Sequence, residues 1–207
     1  MYKFLLDICA VIFKLFNGSP KVYGLENIDS ASDPAIFAVT HRSATDPFYL
    51  AITVRPKVVS FMAKESLFKY KSIAWILRRV HVFPVNREKP STKVIKHAVK
   101  LLKDGQKYLG IFPTGSRYST EIKGGTALIQ KMAKVDIIPV AIQPPKNAKE
   151  FFMRKSAGIA FGQPIPYQAD LKYSKEDLQR IDQTIGESFK RLDRLIDTNY
   201  IKDIHKH

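Results

Sequence analysis

Along most of the chain, short unbroken apolar runs alternate with stretches whose apolar residues recur every three to four positions. The runs Pro34–Thr40, Val58–Ala63, Val80–Val85, Tyr108–Phe112 and Ile137–Ile142 predict strands buried on both faces, since an exposed face would demand a polar residue at every second position. Between them, Pro47–Val54, Leu67–Arg78, Ser91–Asp104 and Gly125–Val135 carry helical periodicity, and Gly105 stands where a left-handed residue would close the third. This alternation predicts an α/β fold, a single domain with a largely parallel sheet flanked by helices. Beyond Gln143-Pro144-Pro145 the pattern adds a strand at Ser156–Gly162, a turn at Gln163-Pro164 and a long helix over Ser174–Asp197, opened by Ser174 and Asp177 in capping-box spacing. No internal repeat and no linker interrupts it, and 207 residues suit one domain.

The opening segment follows a different rule. Residues 1–16 are mostly apolar, but Lys3, Asp7 and Lys14 interrupt them, and the longest uncharged run, Ile8–Phe13, is six residues, far short of a membrane span. No small-residue cleavage site precedes Asn17-Gly18-Ser19-Pro20, which ends the helix, so the segment does not read as a secretory signal. On a helical wheel the three charges share one side and leave Phe4, Leu5, Ile8, Ile12, Leu15 and Phe16 as a wide apolar face. Such a helix either lies in a membrane interface or packs on its own domain.

Composition and charge narrow the partners. A hydrophobic fraction of 45%, with thirteen Phe, nine Tyr and ten Gly, excludes disorder and collagen-like repeats. The single cysteine, Cys9, excludes an internal disulfide framework and cysteine-based zinc modules, and suits a reducing compartment. A net charge of +15 implies a polyanionic neighbour: nucleic acid, an anionic membrane face or a phosphorylated substrate. Most of the excess lies between Arg55 and Lys123, where sixteen basic residues face four acidic ones.

Ligands of open α/β sheets bind beyond the carboxyl ends of the strands, and three of the predicted strand ends carry chemistry. After Pro34–Thr40 come His41 and Asp46, five positions apart across a strand-to-helix turn. An aspartate accepting from one ring nitrogen would fix the tautomer and leave the other as general base, although Asp46-Pro47 is equally an ordinary helix start. After Val80–Val85 comes Arg87. After Tyr108–Phe112 come Gly115, Ser116 and Arg117, then Lys123 before a predicted helix whose amides could also hold an anion. A histidine base facing arginines, a glycine turn and a lysine fits chemistry on a phosphorylated substrate.

Other chemistries fail on particular positions. Gly110-x4-Gly115 approaches a phosphate-binding loop, but Ser116 occupies the place of its lysine. No Gly-x-Ser-x-Gly elbow and no His-Glu-x-x-His occurs. Cys9, in the apolar opening helix, reads as a packing residue. His41 would then activate a substrate hydroxyl directly.

At these residues the chain resembles the glycerolipid acyltransferase family, in particular its bacterial lysophosphatidic acid acyltransferases. Four blocks agree in order: His41 to Asp46 with the family's His-x4-Asp, Val82–Arg87 with its second block, Phe112-Pro113-Thr114-Gly115-Ser116-Arg117 with Phe-Pro-Glu-Gly-Thr-Arg, and Ile138-Pro139-Val140 with its apolar fourth. Thr114 stands where the family usually has glutamate, and Pro84 and Asn86 depart in the second block, which points at acceptor choice. The resemblance implies one α/β domain behind a two-helix membrane-docking element, assigned here to residues 1–30 with the acyltransferase domain at 31–207. It implies no metal and no cofactor, an acyl-acyl carrier protein or acyl-CoA donor, lysophosphatidic acid as acceptor, and an anionic membrane surface on the cytoplasmic face of the cell membrane. His41 and Asp46 would be catalytic; Arg87, Gly115, Ser116, Arg117 and Lys123 would hold the substrate phosphate. Glycerol 3-phosphate or another lysolipid is an alternative acceptor. Nucleic-acid binding, a rival of another class, has only the charge in its favour, because no recognition motif accompanies it and the arginines follow strands; no nucleic-acid partner is expected.

Overall fold

The computed structural model describes residues 1–86 and 91–200. In chain order its elements are α1 (Tyr2–Phe16), β1 (Lys21–Tyr23), β2 (Ile36–Val39), α2 (Asp46–Thr53), β3 (Val59–Lys64), α3 (Lys71–Arg79), β4 (Val82–Val85), α4 (Thr92–Lys103), β5 (Tyr108–Ile111), α5 (Gly125–Ala133), β6 (Ile137–Gln143), α6 (Ala148–Phe152), β7 (Gly158–Phe161) and α7 (Lys175–Ile196). Among the described residues the strands form one sheet in the order β1-β7-β6-β2-β5-β3-β4. The pairs among β2 to β6 are all parallel; β7 turns back antiparallel to β6, and β1 lies parallel to β7 at the edge.

Burial on both faces explains the unbroken apolar runs of β2, β5 and β6, whereas β4, expected to be buried on both faces, is the edge strand and leaves its residues half-buried or exposed. In β2, Phe37 and Val39 join a cluster with Leu6, Tyr49 and Leu50 under α1 and α2, whereas Ile36 and Ala38 face Leu102, Ile129, Ile185 and Phe189 of α4, α5 and α7. At Gly110 the Phe61 ring lies so close that an added Cβ would stand 2.3 Å from it, so glycine is required there.

The N-terminal region departs from expectation. Only residues 2–16 of the expected 1–30 helical element form an α-helix, and the implied second helix is replaced by β1 and a 3-10 turn at Leu25–Ile28. Residues 21–23 register with β7, so backbone pairing makes this stretch part of the main sheet. Helix α1 itself takes both of its open placements in part. Tyr2, Leu6 and Phe13 pack on the domain, while Phe4, Ile8, Val11, Ile12, Leu15 and Phe16 stand exposed. Among the described residues, no helix is long and apolar enough to cross a membrane.

Candidate active site

Strand β2 ends at Val39, and the loop that follows turns on one carboxylate. Asp46 is fully buried, and its Oδ2 lies 3.1 Å from His41 Nδ1. The same oxygen accepts the backbone N–H groups of Arg42 at 2.6 Å and Ser43 at 2.8 Å. Although Asp46 opens α2, with Pro47 behind it, its side chain turns back on the loop instead of capping the helix. With two backbone N–H groups already held by this oxygen, the tautomer that suits the contact has His41 Nδ1–H donating to Asp46 and leaves Nε2 facing away as the nitrogen free to accept a proton. Packing fixes the ring plane: the His41 ring lies 4.3 Å from that of Phe112, between centroids.

Arg42, which the sequence reading passed over, fastens this loop. Its guanidinium donates to Asp193 Oδ2 at 2.5 Å, to Thr40 Oγ1 at 3.1 Å and to the Ile142 carbonyl, and it stacks over the Tyr200 ring. Two of these partners, Asp193 and Tyr200, follow in sequence by about 150 residues, so no local pattern announces them.

The turn after β5 is the second part of the site. Gly115 has φ +64°, the left-handed conformation in which glycine carries no penalty. An added Cβ there would lie 3.5 Å from Lys123 Nζ, so the ammonium group stands beside the glycine backbone. Thr114, in place of the expected glutamate, is buried with its hydroxyl donating to the Ser116 carbonyl at 2.8 Å. Ser116 Oγ in turn accepts the Tyr118 N–H at 3.2 Å. Gly115 and Lys123 are thus brought together. Arg117 is exposed, its guanidinium 5.8 Å from the Tyr118 ring, and Arg87 lies outside the described residues.

Two cavities flank this turn. One, of about 960 Å³, is walled by Thr40, His41, Arg42, Thr114 and Gly124 on the strand side and by α7 on the other. The smaller, of about 140 Å³, is mostly apolar and passes under Gly115 and Lys123 between Met62, Ile95, Ile111 and Ile129. Asp182 projects from α7 into the larger one. Burial pushes its carboxyl up to about 6, and its Oδ1 has no hydrogen-bond partner among the described residues. Sequence reasoning also missed this group, because helical periodicity marks where α7 runs and not what its polar side faces.

A buried carboxylate orienting a histidine on a cavity wall suits direct transfer between two bound substrates, with no residue acylated on the way. The sequence matches the acyltransferase family over residues 19–143, a span that includes every expected site residue. The chain belongs to the acyltransferase family. This acyltransferase is 36% identical over 201 residues to the 1-acyl-sn-glycerol-3-phosphate acyltransferase of Bacillus subtilis, covering 95% of the present chain and 99% of that one. It is 35% identical over 192 residues to the enzyme of the same name from Streptococcus pneumoniae, covering 93% and 73%. The acyltransferase shares its fold with the crystal structure of the 1-acyl-sn-glycerophosphate (LPA) acyltransferase PlsC from Thermotoga maritima, with a TM-score of 0.70 at 20% identity over 98% of this chain and 81% of that one.

Proposed function

We propose that this acyltransferase moves a fatty acyl group from a thioester donor, carried by coenzyme A or acyl carrier protein, to the sn-2 hydroxyl of lysophosphatidic acid, releasing phosphatidic acid and a free thiol. The observation that carries the reading is the buried pair His41–Asp46 on the wall of a large cavity, in a chain 36% identical to a 1-acyl-sn-glycerol-3-phosphate acyltransferase along almost its whole length.

In the proposed reaction His41 Nε2 takes the hydroxyl proton as the acceptor oxygen bonds to the thioester carbonyl carbon. The tetrahedral oxyanion collapses, the carbon–sulfur bond breaks, and the imidazolium returns its proton to the departing thiolate. Asp46 holds the ring in the required tautomer and offsets its transient charge. Lys123 beside Gly115 supplies a cation and an unobstructed backbone for the acceptor phosphate, with Ser116 and Arg117 of the same turn completing the grip and Arg87 assigned to it by the sequence pattern. The exposed apolar side of α1 rests in the cytoplasmic face of an anionic membrane, where the acceptor and product reside.

Purified protein given lysophosphatidic acid and an acyl thioester on either carrier is expected to release thiol and form phosphatidic acid in equal amounts. His41→Ala is expected to lose about 10²- to 10⁴-fold in rate, the range for a missing general base. A variant close to wild type would overturn the assignment of His41. Activity restricted to glycerol 3-phosphate or to another lysolipid would overturn that of the acceptor.

A further inference from the structure

Helix α3 faces the wrong way for a helix held only by its own domain. Of its nine residues only Ala74 is buried, whereas Ile73, Trp75 and Ile76 are 41%, 54% and 47% exposed. Leu67 and Tyr70, in the 3-10 turn and link that lead into it, are exposed as well. The fold thus spends the small residue on packing and presents the large apolar ones to solvent, a patch that marks a surface made to be covered.

Charge says what covers it. Lys64, Lys69, Lys71 and Arg79 are exposed along this stretch, and from Lys64 to Arg79 the one acidic residue is Glu65, at the start of the 3-10 turn. The Arg79 guanidinium lies over the Trp75 ring, 4.9 Å from its centroid, a cation–π pair that sets a positive charge directly beside the apolar side chains. Long cationic stems around a tryptophan and two isoleucines suit a leaflet in which rings and aliphatic chains sink below anionic headgroups.

Topology places this face beside α1. The connections β2-α2-β3 and β3-α3-β4 step across the sheet in the same direction, so right-handed crossovers put α2 and α3 on one side. That is the side on which α1 packs through Leu6 against Tyr49 and Leu50 of α2. Tyr2 of α1 meets His81, two residues beyond α3, with ring centroids 5.4 Å apart. Helices α1 and α3, each with an exposed apolar side, therefore lie over the same face of the sheet.

We propose that α3 with its lead-in Leu67–Tyr70 is a second membrane foot, seated in an anionic lipid leaflet beside α1. The inference rests on the lipid-acceptor reading above. An acidic carrier protein is the competing occupant, and the placement of two exposed apolar helix sides over the same face of the sheet favours the bilayer over a protein that would have to cover both.

Trp75 is the only tryptophan of the chain and reports on this face directly. With the full-length protein, vesicles of equimolar phosphatidylglycerol and phosphatidylcholine should shift Trp75 emission to the blue, and bromine on the acyl chains should quench it. Phosphatidylcholine vesicles should do neither. The double variant Ile73→Ser with Ile76→Ser keeps the reporter and removes two exposed side chains. It should melt like wild type and partition onto the anionic vesicles about tenfold more weakly. Its thiol release on detergent-dispersed lysophosphatidic acid should be unchanged. Sedimentation with anionic vesicles while Trp75 emission stays unshifted would overturn the second foot and leave α1 as the anchor. No sedimentation at all would overturn membrane docking by either helix, while activity in detergent would still decide the acyl-transfer reading on its own. A shift on adding acyl carrier protein and none on adding vesicles would assign the face to a protein partner.

Discussion

Asp46 and Asp182 are both carboxylates on or near the same cavity, each with Oδ1 unpartnered among the described residues, and they differ at the second oxygen. Asp46 is the more deeply buried, yet its Oδ2 accepts two backbone N–H groups and meets His41 Nδ1. Asp182 has no partner for Oδ1, and burial pushes its carboxyl up to about 6. In the unfolded chain an aspartate titrates at about 3.9, so the folded chain holds the Asp182 proton more tightly. The stability this contributes is present in full below about 3.9 and is lost as pH rises through about 6. At neutral pH the charge is carried at a cost that solvent in the open cavity limits to about 1 kcal/mol. Asp182→Asn keeps the shape and removes the charge. In calorimetric melts it should raise the Tm at pH 7.5 by about 2–4 °C and leave it unchanged at pH 4. A gain of the same size at both pH values would trace the effect to packing.

At the scale of elements, α7 was legible almost to the residue, and its start can be tested. Ser174 Oγ accepts the Asp177 N–H at 3.2 Å, and Asp177 Oδ2 accepts the Ser174 N–H at 3.0 Å, so the spacing of the two residues forms a complete capping box. Ser174→Ala should cost about 1 kcal/mol in urea unfolding; an unchanged midpoint would show that packing of Ile185, Phe189 and Leu192 alone sets the helix. Strands β2, β5 and β6 were legible because residues buried on both faces leave a continuous apolar run, while β4 carries such a run at the half-exposed sheet edge, so that its existence was legible and its burial was not. By contrast, β1 has three residues and α6 five, too short for periodicity of any kind to register. The site divides along the same line. His41 and Asp46 were legible because one short loop joins them, and Gly115 because a left-handed turn needs it. Arg42, Asp182 and Asp193 acquire their roles only when α7 packs across the strand ends, a contact between distant parts of the chain that no local spacing encodes.

Taken as a whole molecule, the loop that carries His41 and the final helix close one structure. Arg42, next to His41, pairs with Asp193 on α7, 151 residues later, and Asp193 also accepts from Gln143 Nε2 at the end of β6, at 3.2 Å. The Arg42 backbone N–H is at the same time one of the donors that holds Asp46. One residue, Arg42, therefore links Asp193 to the carboxylate that meets His41. Asp193→Ala leaves a buried guanidinium with Thr40, the Ile142 carbonyl and the Tyr200 ring as its remaining partners. Because those partners persist, the expected cost is about 2 kcal/mol, below the usual penalty for orphaning a buried charge, which corresponds to a Tm about 4–8 °C lower. Loosening of the loop should also lower kcat several-fold at saturating acceptor, with Asp193→Asn, which keeps a hydrogen-bond acceptor, falling between the two. A stability loss with kcat intact would mean that the Asp46 contacts hold His41 without help from α7, and the final helix would then serve as the wall of the cavity without positioning the base.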